Sequence, residues 1–159
     1  MTEIVTRVID CWVINKSFSE LKFLIMRRNI GLQYEGIFHC VHGKIEENEP
    51  AWQTALRELK EETGLVPKEL FVADFTSNFY EAKEDRFNLV PVFVAVVEDR
   101  EVRLSREHSE FEWLNYKEAK EKVAWKNHRK AIEIINKMFT TEFPQKKWLE
   151  VRGWKGLGG

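Results

Sequence analysis

The sequence predicts an α/β fold, specifically an α/β/α sandwich in which helices cover both faces of a mixed β-sheet. Three observations predict it. β-Rich runs fill the N-terminal third of the chain, an amphipathic helix pattern follows, and a long hairpin pattern precedes two further helix patterns. With 159 residues, of which 43% are hydrophobic, the chain is long enough to bury one core. We therefore expect a single domain at residues 1–142 and a C-terminal tail without a clear period at residues 143–159.

The elements follow in order along the chain. The polar segment SFSE separates the first two β-rich runs, which predicts an antiparallel hairpin. A third short strand leads into a glycine loop and the first helix, and the charged segment EAKEDR joins the arms of the long hairpin. Strands are expected at residues 2–15, 21–27, 37–42, 70–80, 87–97 and 111–114, and helices at residues 50–63, 116–123 and 127–139.

The helix predicted at residues 50–63 has recognisable ends and two distinct faces. Pro50 suits the first helical turn, and Gly64 suits the left-handed residue that often ends a helix. At roughly 100° per residue, one stripe of the helix is apolar and the adjoining face carries Glu58, Glu61 and Glu62. The helix therefore has a core side and an acidic side.

Three carboxylates on one helix face repel one another. At about 6 Å and an effective dielectric near 20, each pair costs roughly 3 kcal/mol. Arg57, one turn before Glu61, offsets one charge, and the remaining excess fits a hard divalent cation that prefers oxygen ligands. Taken alone, the pattern is also that of a solvated charged face. The loop at Gly43 and the acid at Glu49 favour the metal site.

A longer pattern surrounds this helix, from Gly43 to Leu65. It reads glycine, five residues, glutamate, seven residues, REL, one residue, EE, one residue and GL. The segment resembles the signature of the Nudix hydrolases, metal-dependent enzymes that cut diphosphate linkages in nucleotides and related compounds. The resemblance implies Mg²⁺ or Mn²⁺ as the cofactor and the same α/β/α sandwich as the fold.

The resemblance also implies roles for the acidic face. The expected catalytic residues are Glu58, Arg57 and Glu61, with Glu58 as a metal ligand or general base and Arg57 orienting the carboxylates. Glu61 and Glu62 are the principal expected metal ligands, joined by Glu58. The structural residues of the segment are expected to be Gly43, Glu49 and Gly64.

Two of these structural residues belong to the loop before the helix. Gly43 is expected to permit the turn that brings the backbone to the metal, because glycine adopts conformations closed to other residues. Glu49 is expected to anchor the loop rather than to touch the substrate.

The C-terminal part of the chain resembles one branch of this family. Residues 107–136 are similar to the dihydroneopterin triphosphate and deoxynucleoside triphosphate pyrophosphatases, whose pattern runs EH, WL, then W, N, R and AI. The resemblance implies that Glu107 completes the metal site, although it also reads as a surface acid. It further implies hydrolysis of a nucleoside or pterin triphosphate to a monophosphate and pyrophosphate.

Four residues are candidates for substrate binding. Arg27 and Arg28 end a strand that points toward the signature, where a guanidinium could hold phosphates bidentately. Phe38 stands where that branch carries tryptophan, and Trp125 could stack on a base or pterin. Each also has a plain structural role, as a solvated edge or as core. A general-base role is open to His39 and His42, but a structural histidine is favoured.

The net charge and the length of the apolar runs disfavour two classes of partner, nucleic acid polymers and membranes. A net charge of −1 disfavours nucleic acid polymers, and the longest apolar run is too short to span a membrane. The two cysteines, Cys11 and Cys40, are expected to be reduced core residues of a cytoplasmic protein. The expected partner is a small nucleotide or pterin triphosphate, and a homodimer is left open. Two alternative functions remain, a diadenosine polyphosphate hydrolase and a non-catalytic ligand sensor.

Overall fold

The structure, a computed structural model, describes residues 1–155 and contains one eight-stranded mixed sheet. Helix α1 packs on one face, and α2 and α3 pack on the other, so the predicted α/β/α sandwich is confirmed. The strands are β1 Glu3–Val5, β2 Val8–Asn15, β3 Lys22–Arg28, β4 Phe38–His39, β5 Val41–Lys44, β6 Glu69–Glu81, β7 Arg86–Val97 and β8 His108–Leu114. The helices are α1 Ala51–Thr63, α2 Tyr116–Lys122, α3 Lys126–Thr140 and α4 Lys146–Leu149.

Strand β2 is central to the sheet. It pairs in parallel with β7 and antiparallel with β3 and β5, and all eight of its residues are buried. The hairpins β2–β3 and β6–β7 agree with the sequence prediction. Because side chains alternate along a strand, β2 supplies apolar groups to the cores on both faces of the sheet.

Two predicted strands are each divided in the structure. Residues 2–15 form β1 and β2, which pair one after the other with the same edge of β7, opposite β6, and residues 37–42 form β4 and β5. The break at Cys40 lets the short segment change partner from β3 to β2. This change places His42 opposite Asp10, two residues that lie far apart in the sequence.

The C-terminal tail docks in part on the domain. The Val151 N–H donates to the Leu70 carbonyl at 2.8 Å, and Val151 and Trp154 pack beside the core that α1 covers. Trp148, in contrast, is exposed. Residues 156–159 of the predicted tail lie outside the described residues. Within residues 1–155 the structure has no helix long and apolar enough to cross a membrane.

Candidate active site

Helix α1 has the ends that the sequence predicts. Pro50 precedes the helix in extended conformation, and Gly64 ends it with φ of 73° while its N–H donates to the Lys60 carbonyl. Glycine adopts this left-handed conformation without the steric penalty that a Cβ brings. Ala55 and Leu59 are fully buried on the core side, so the acidic side faces the loop of Gly43.

Arg57 ties the helix to that loop. Its Nε donates to Glu49 Oε2 at 2.8 Å, and its Nη2 donates to the Lys44 carbonyl at 2.8 Å. Its Nη1 donates to Glu58 at 2.8 Å and to Glu61 at 3.3 Å. One guanidinium thus donates hydrogen bonds to three carboxylates and lies 3.6 Å from a fourth, that of Glu46, an arrangement that can orient them.

Glu49 lies within the loop's hydrogen-bond network. It accepts from the Thr54 hydroxyl at 2.6 Å and from the Glu46 N–H at 3.2 Å, in addition to Arg57. The Arg57 guanidinium lowers the pKa of Glu49 from 4.5 to about 2, against the opposing effect of partial burial. The side chain therefore remains charged and links the loop to α1 through these hydrogen bonds.

The expectation for Gly43 is corrected by the structure. Gly43 lies in β5, and its φ is not in the positive range. The backbone at this position is therefore one that other residues can also adopt. A Cβ built on Gly43 would instead overlap the carboxyl group of Glu58. Glycine is needed at this position because it leaves room for the Glu58 side chain.

Glu62 is the most unusual carboxylate of the site. It is 2% exposed, and neither of its oxygens has a hydrogen-bond partner among the described residues. Burial, followed by the charges of Glu107 and Glu58, raises its pKa to about 10. The pKa of Glu58 is also raised, mainly by burial. Buried carboxylate oxygens that receive no hydrogen bond are unfavourable unless a cation binds them. The oxygen ligands of this site therefore fit a divalent metal ion.

The other two predicted ligands, Glu61 and Glu107, lie at the edge of the pair formed by Glu58 and Glu62. Glu61 is exposed and reaches Arg57, whereas Glu107 arrives from the loop before β8. Carboxylate oxygens of Glu62 and Glu107 and a ring nitrogen of His108 all lie within 4.8 Å of one another. The fold therefore brings Glu107 to the signature helix, although Glu107 lies 45 positions after Glu62 in the chain.

His108 and His39 join the acidic cluster to the neighbouring cavity, and sequence reasoning assigned neither to the metal site. His108 Nδ1 lies 3.6 Å from Glu62 Oε1, and His108 Nε2 lies 2.8 Å from His39 Nε2. Burial lowers the pKa of His108 to about 4, with a smaller contribution from Arg28. Burial, followed by the charge of His108, also lowers the pKa of His39. The adjacent pair Glu107–His108 was the available sequence signal.

A cavity of about 540 Å³ lies beside the carboxylates. Arg28 and Trp125, two of the four candidates for substrate binding, line it, and Tyr34 meets Trp125 edge to face with ring centroids 5.5 Å apart. Phe79 and Tyr80 of β6 add two further aromatic side chains to the lining. The cavity thus offers flat apolar surfaces next to an acidic cluster.

Phe38 and Arg27 lie away from this cavity, contrary to the expectation that Phe38 lines it. Phe38 packs against the core beneath α2 and α3, with the Lys122 ammonium 4.5 Å from its ring centroid. Arg27 is half-exposed and pairs with Glu110 at 3.8 Å. Phe38 and Arg27 point to the face of the sheet that α2 and α3 cover. Their neighbours His39 and Arg28 point to the other face and line the cavity, because side chains alternate along a strand.

The cavity wall also contains a polar triad centred on the buried Asp10. Asp10 Oδ1 lies 2.7 Å from His42 Nδ1, and its other oxygen lies 3.5 Å from His128 Nε2. Burial opposes ionisation of Asp10, but the hydrogen bonds and charges of His128 and His42 hold its pKa well below the ordinary value. Burial lowers the pKa of His42, yet the hydrogen bond and charge of Asp10 outweigh it, so the net pKa is raised.

Comparison with known proteins identifies the fold and the family. The NUDIX domain model matches residues 5–134. Among curated proteins, the asymmetrical bis(5'-nucleosyl)-tetraphosphatase of Mus musculus is 28% identical over 120 residues, which is 72% of this chain and 78% of the mouse protein. An octanoyltransferase of Myxococcus xanthus is 31% identical over 131 residues, which is 80% of this chain and 36% of that protein.

Solved structures share the architecture. An Ap4A hydrolase of C. elegans in a binary complex matches with a TM-score of 0.73 and 18% identity, covering 86% of this chain and 98% of that one. The dihydroneopterin triphosphate pyrophosphohydrolase of E. coli matches with a TM-score of 0.66 and 23% identity, covering 83% and 99%. Both branches considered from the sequence share the fold, so the fold does not separate them. The chain belongs to the Nudix family, whose members typically use divalent metal ions, and it is a pyrophosphohydrolase that acts on phosphoanhydride bonds.

Proposed function

We propose that this protein hydrolyses dinucleoside polyphosphates asymmetrically, cutting diadenosine tetraphosphate to ATP and AMP. The observation that carries the proposal is the similarity to mammalian asymmetrical bis(5'-nucleosyl)-tetraphosphatases. The alignment with the mouse protein covers 72% of the present chain. The proteins of Sus scrofa and Rattus norvegicus with the same name are 29% and 32% identical to the chain. These relatives favour the dinucleoside substrate over the triphosphate predicted from the C-terminal pattern.

The contacts of that C-terminal pattern explain its presence without reference to the substrate. Asn127 Nδ2 donates to the Asn78 carbonyl at 2.9 Å, and Arg129 Nη1 donates to the Ala124 carbonyl at 3.1 Å. Ala131 and Ile132 are buried in the core. These residues hold the start of α3 against β6 and the preceding turn. Their presence in this chain therefore reports how α3 packs, and it carries little information about which polyphosphate is cut.

The site supplies separate surfaces for the base and for the phosphates. Trp125 and Tyr34 offer flat rings at the cavity, and stacking accepts any base. Arg28 lies in the same cavity with its Nε fixed by the Gln33 carbonyl at 2.6 Å, so its terminal nitrogens are available to phosphate oxygens. The carboxylates of Glu58 and Glu62 lie on the phosphate side.

The proposed reaction is one displacement at phosphorus. A bond forms between a water oxygen and phosphorus, and the bridging phosphorus–oxygen bond breaks with its electron pair remaining on the departing nucleotide. Glu58, positioned by Arg57, accepts the proton of the attacking water. Glu58, Glu61, Glu62 and Glu107 would hold a divalent metal ion, which would neutralise charge on the phosphates and lower the pKa of the attacking water.

Product analysis tests the proposal. The protein is incubated with Mg²⁺ and, in separate reactions, with diadenosine tetraphosphate, dATP and dihydroneopterin triphosphate. We expect ATP and AMP from the tetraphosphate, at a higher kcat/KM than for either triphosphate. Pyrophosphate released from a triphosphate, with the tetraphosphate left intact, would instead identify a triphosphate pyrophosphatase, and no turnover of any of the three would favour the sensor.

Water labelled with heavy oxygen locates the bond that is cut. Label in AMP means attack at the phosphorus nearest that nucleoside, and label in ATP means attack at the next phosphorus. We expect label in a single product, because one fixed set of carboxylates positions one water relative to the phosphate chain. Label distributed equally between the two products would contradict a single fixed attack geometry.

A further inference from the structure

We propose that His108 is a nitrogen ligand of the metal site, and that together with Glu62 and Glu107 it forms a mixed nitrogen and oxygen set that selects first-row transition ions such as Mn²⁺ or Co²⁺ over Mg²⁺. The proposal does not depend on which polyphosphate the enzyme cuts. It rests on the position of one buried ring, on its hydrogen bond to His39 and on the strand irregularity that directs it.

The distance between the two buried acceptors suits a shared ion. His108 Nδ1 and Glu62 Oε1 are 3.6 Å apart, which is too long for a hydrogen bond. Two ligand atoms that each lie about 2.1 Å from one ion are about 3.0 Å apart at a right angle and about 3.4 Å apart at a tetrahedral angle. The observed separation exceeds the tetrahedral value only slightly, so a small movement of either side chain brings both atoms onto one ion.

Both acceptors lack any other partner. The His108 side chain is fully buried, and within residues 1–155 neither its Nδ1 nor either Glu62 oxygen is hydrogen-bonded. Buried polar groups are normally paired, whereas this carboxyl group and this ring nitrogen face each other without a hydrogen bond. Glu107 lies within 4.8 Å of both and contributes a second carboxylate from the exposed side. A cation is the partner that would satisfy all three groups at once.

The hydrogen bond to His39 is compatible with the tautomer that a metal ligand requires. The two Nε2 atoms are 2.8 Å apart, so one ring donates and the other accepts. When His108 donates through Nε2, its Nδ1 carries a lone pair that faces Glu62. Histidines that bind metals commonly donate their second ring nitrogen to a neighbouring acceptor in this way, which orients the ring.

A β-bulge directs His108 to this position. Met26 pairs with Phe111 and Arg27 with Glu110, but Arg28 pairs with His108, so Ser109 is the extra residue in the ladder. Without the extra residue, alternation would place His108 on the same face as Glu110, away from α1. The bulge moves the ring to the α1 face, where Glu62 lies. Bulges that redirect one side chain are frequent beside active sites.

The ligand types determine the class of ion. Mg²⁺ prefers oxygen ligands, whereas imidazole suits first-row transition ions. A set of one imidazole and two carboxylates therefore binds Mn²⁺ or Co²⁺ more tightly than a set of carboxylates alone would. Substitution of His108 should weaken Mn²⁺ binding much more than Mg²⁺ binding.

The experiment measures Mn²⁺ binding to the full chain without nucleotide, by electron paramagnetic resonance, and detects directly bound nitrogen by electron spin echo modulation. We expect a histidine nitrogen signal in the wild type that is lost in His108→Asn, with a loss of about 10–100-fold in Mn²⁺ affinity. His128→Asn is the matched control, because His128 is also largely buried and has an unpartnered Nδ1, but lies beside Asp10 instead of Glu62. This variant should retain both the histidine nitrogen signal and the Mn²⁺ affinity of the wild type.

Two results would overturn the proposal. Mn²⁺ bound to the wild type without nitrogen coupling would exclude a histidine ligand, and this measurement needs no variant to fold. Retention of the coupling in His108→Asn would assign the nitrogen to another residue. Because no nucleotide is present, both results are independent of the substrate assays, and a failure of the dinucleoside proposal would leave this inference unaffected.

Discussion

Replacement of Glu62 by glutamine is expected to stabilise the metal-free protein. Glu62 is 2% exposed, and burial together with the charges of Glu107 and Glu58 raises its pKa from 4.5 to about 10. An acid with a raised pKa in the folded state stabilises the protein fully below its unfolded pKa. That stability is lost progressively as the pH rises from about 4.5 toward about 10. The wild type should therefore be weakened at neutral pH whenever no metal is bound.

The size of the effect follows from linkage. At a pH of about 7.5, keeping Glu62 protonated in the fold costs about 4 kcal/mol, since each pH unit above 4.5 contributes about 1.4 kcal/mol. Glutamine avoids this cost but leaves a buried amide without a hydrogen-bond partner, which destabilises the variant by about 1–3 kcal/mol. The net gain in the free energy of unfolding is about 1–3 kcal/mol, or roughly 2–4 °C in Tm for each kcal/mol.

Urea denaturation in EDTA measures the gain at a pH near 7.5 and again near 5, where the protonation cost falls to about 0.7 kcal/mol and the variant should be about 0–2 kcal/mol less stable than wild type. Glu61→Gln is the matched control, because its side chain is 59% exposed and its removal should change stability by less than about 0.5 kcal/mol. With saturating Mn²⁺ the order should reverse, since wild type binds the ion more tightly. A Glu62→Gln variant that is less stable than wild type at both pH values in EDTA would show that Glu62 is a structural anchor and refute the reasoning.

Three further predictions concern activity. Glu61→Gln and Glu62→Gln should each lose at least ~10²-fold in kcat, as expected when an electrostatic catalyst is removed, and near-wild-type turnover in both would contradict the assignment. Gly43→Ala should lower the free energy of unfolding by about 1–3 kcal/mol and reduce kcat, because its Cβ would overlap the Glu58 carboxyl group; unchanged urea midpoint and kcat would disprove this. Trp125→Ala should raise KM for the nucleotide about tenfold with little change in kcat, because a stacking surface is lost. Trp148→Ala is the control, because Trp148 is exposed and lies away from the cavity, and its KM should not change. Equal KM values for the two variants would exclude stacking at Trp125.

The sequence alone determined the local features of the site. The spacing from Gly43 to Leu65, the apolar stripe of α1 and the left-handed glycine at its end are properties of neighbouring residues, and α1 has the predicted bounds within one residue. The position of Arg57 among acids one and four residues later is equally local, because i,i+4 neighbours meet on a helix.

The tertiary structure decided which distant residues reach that helix. Alternation predicts that Arg27 and Arg28 face opposite ways, but only the packing of the sheet shows that Arg28 lines the cavity. His42 meets Asp10 because the short strand changes partner at Cys40. His108 reaches Glu62 because one extra residue in β8 reverses the alternation that the sequence would imply. Register shifts and partner changes arise from long-range pairing between strands, and the spacing of residues along the chain carries no record of them.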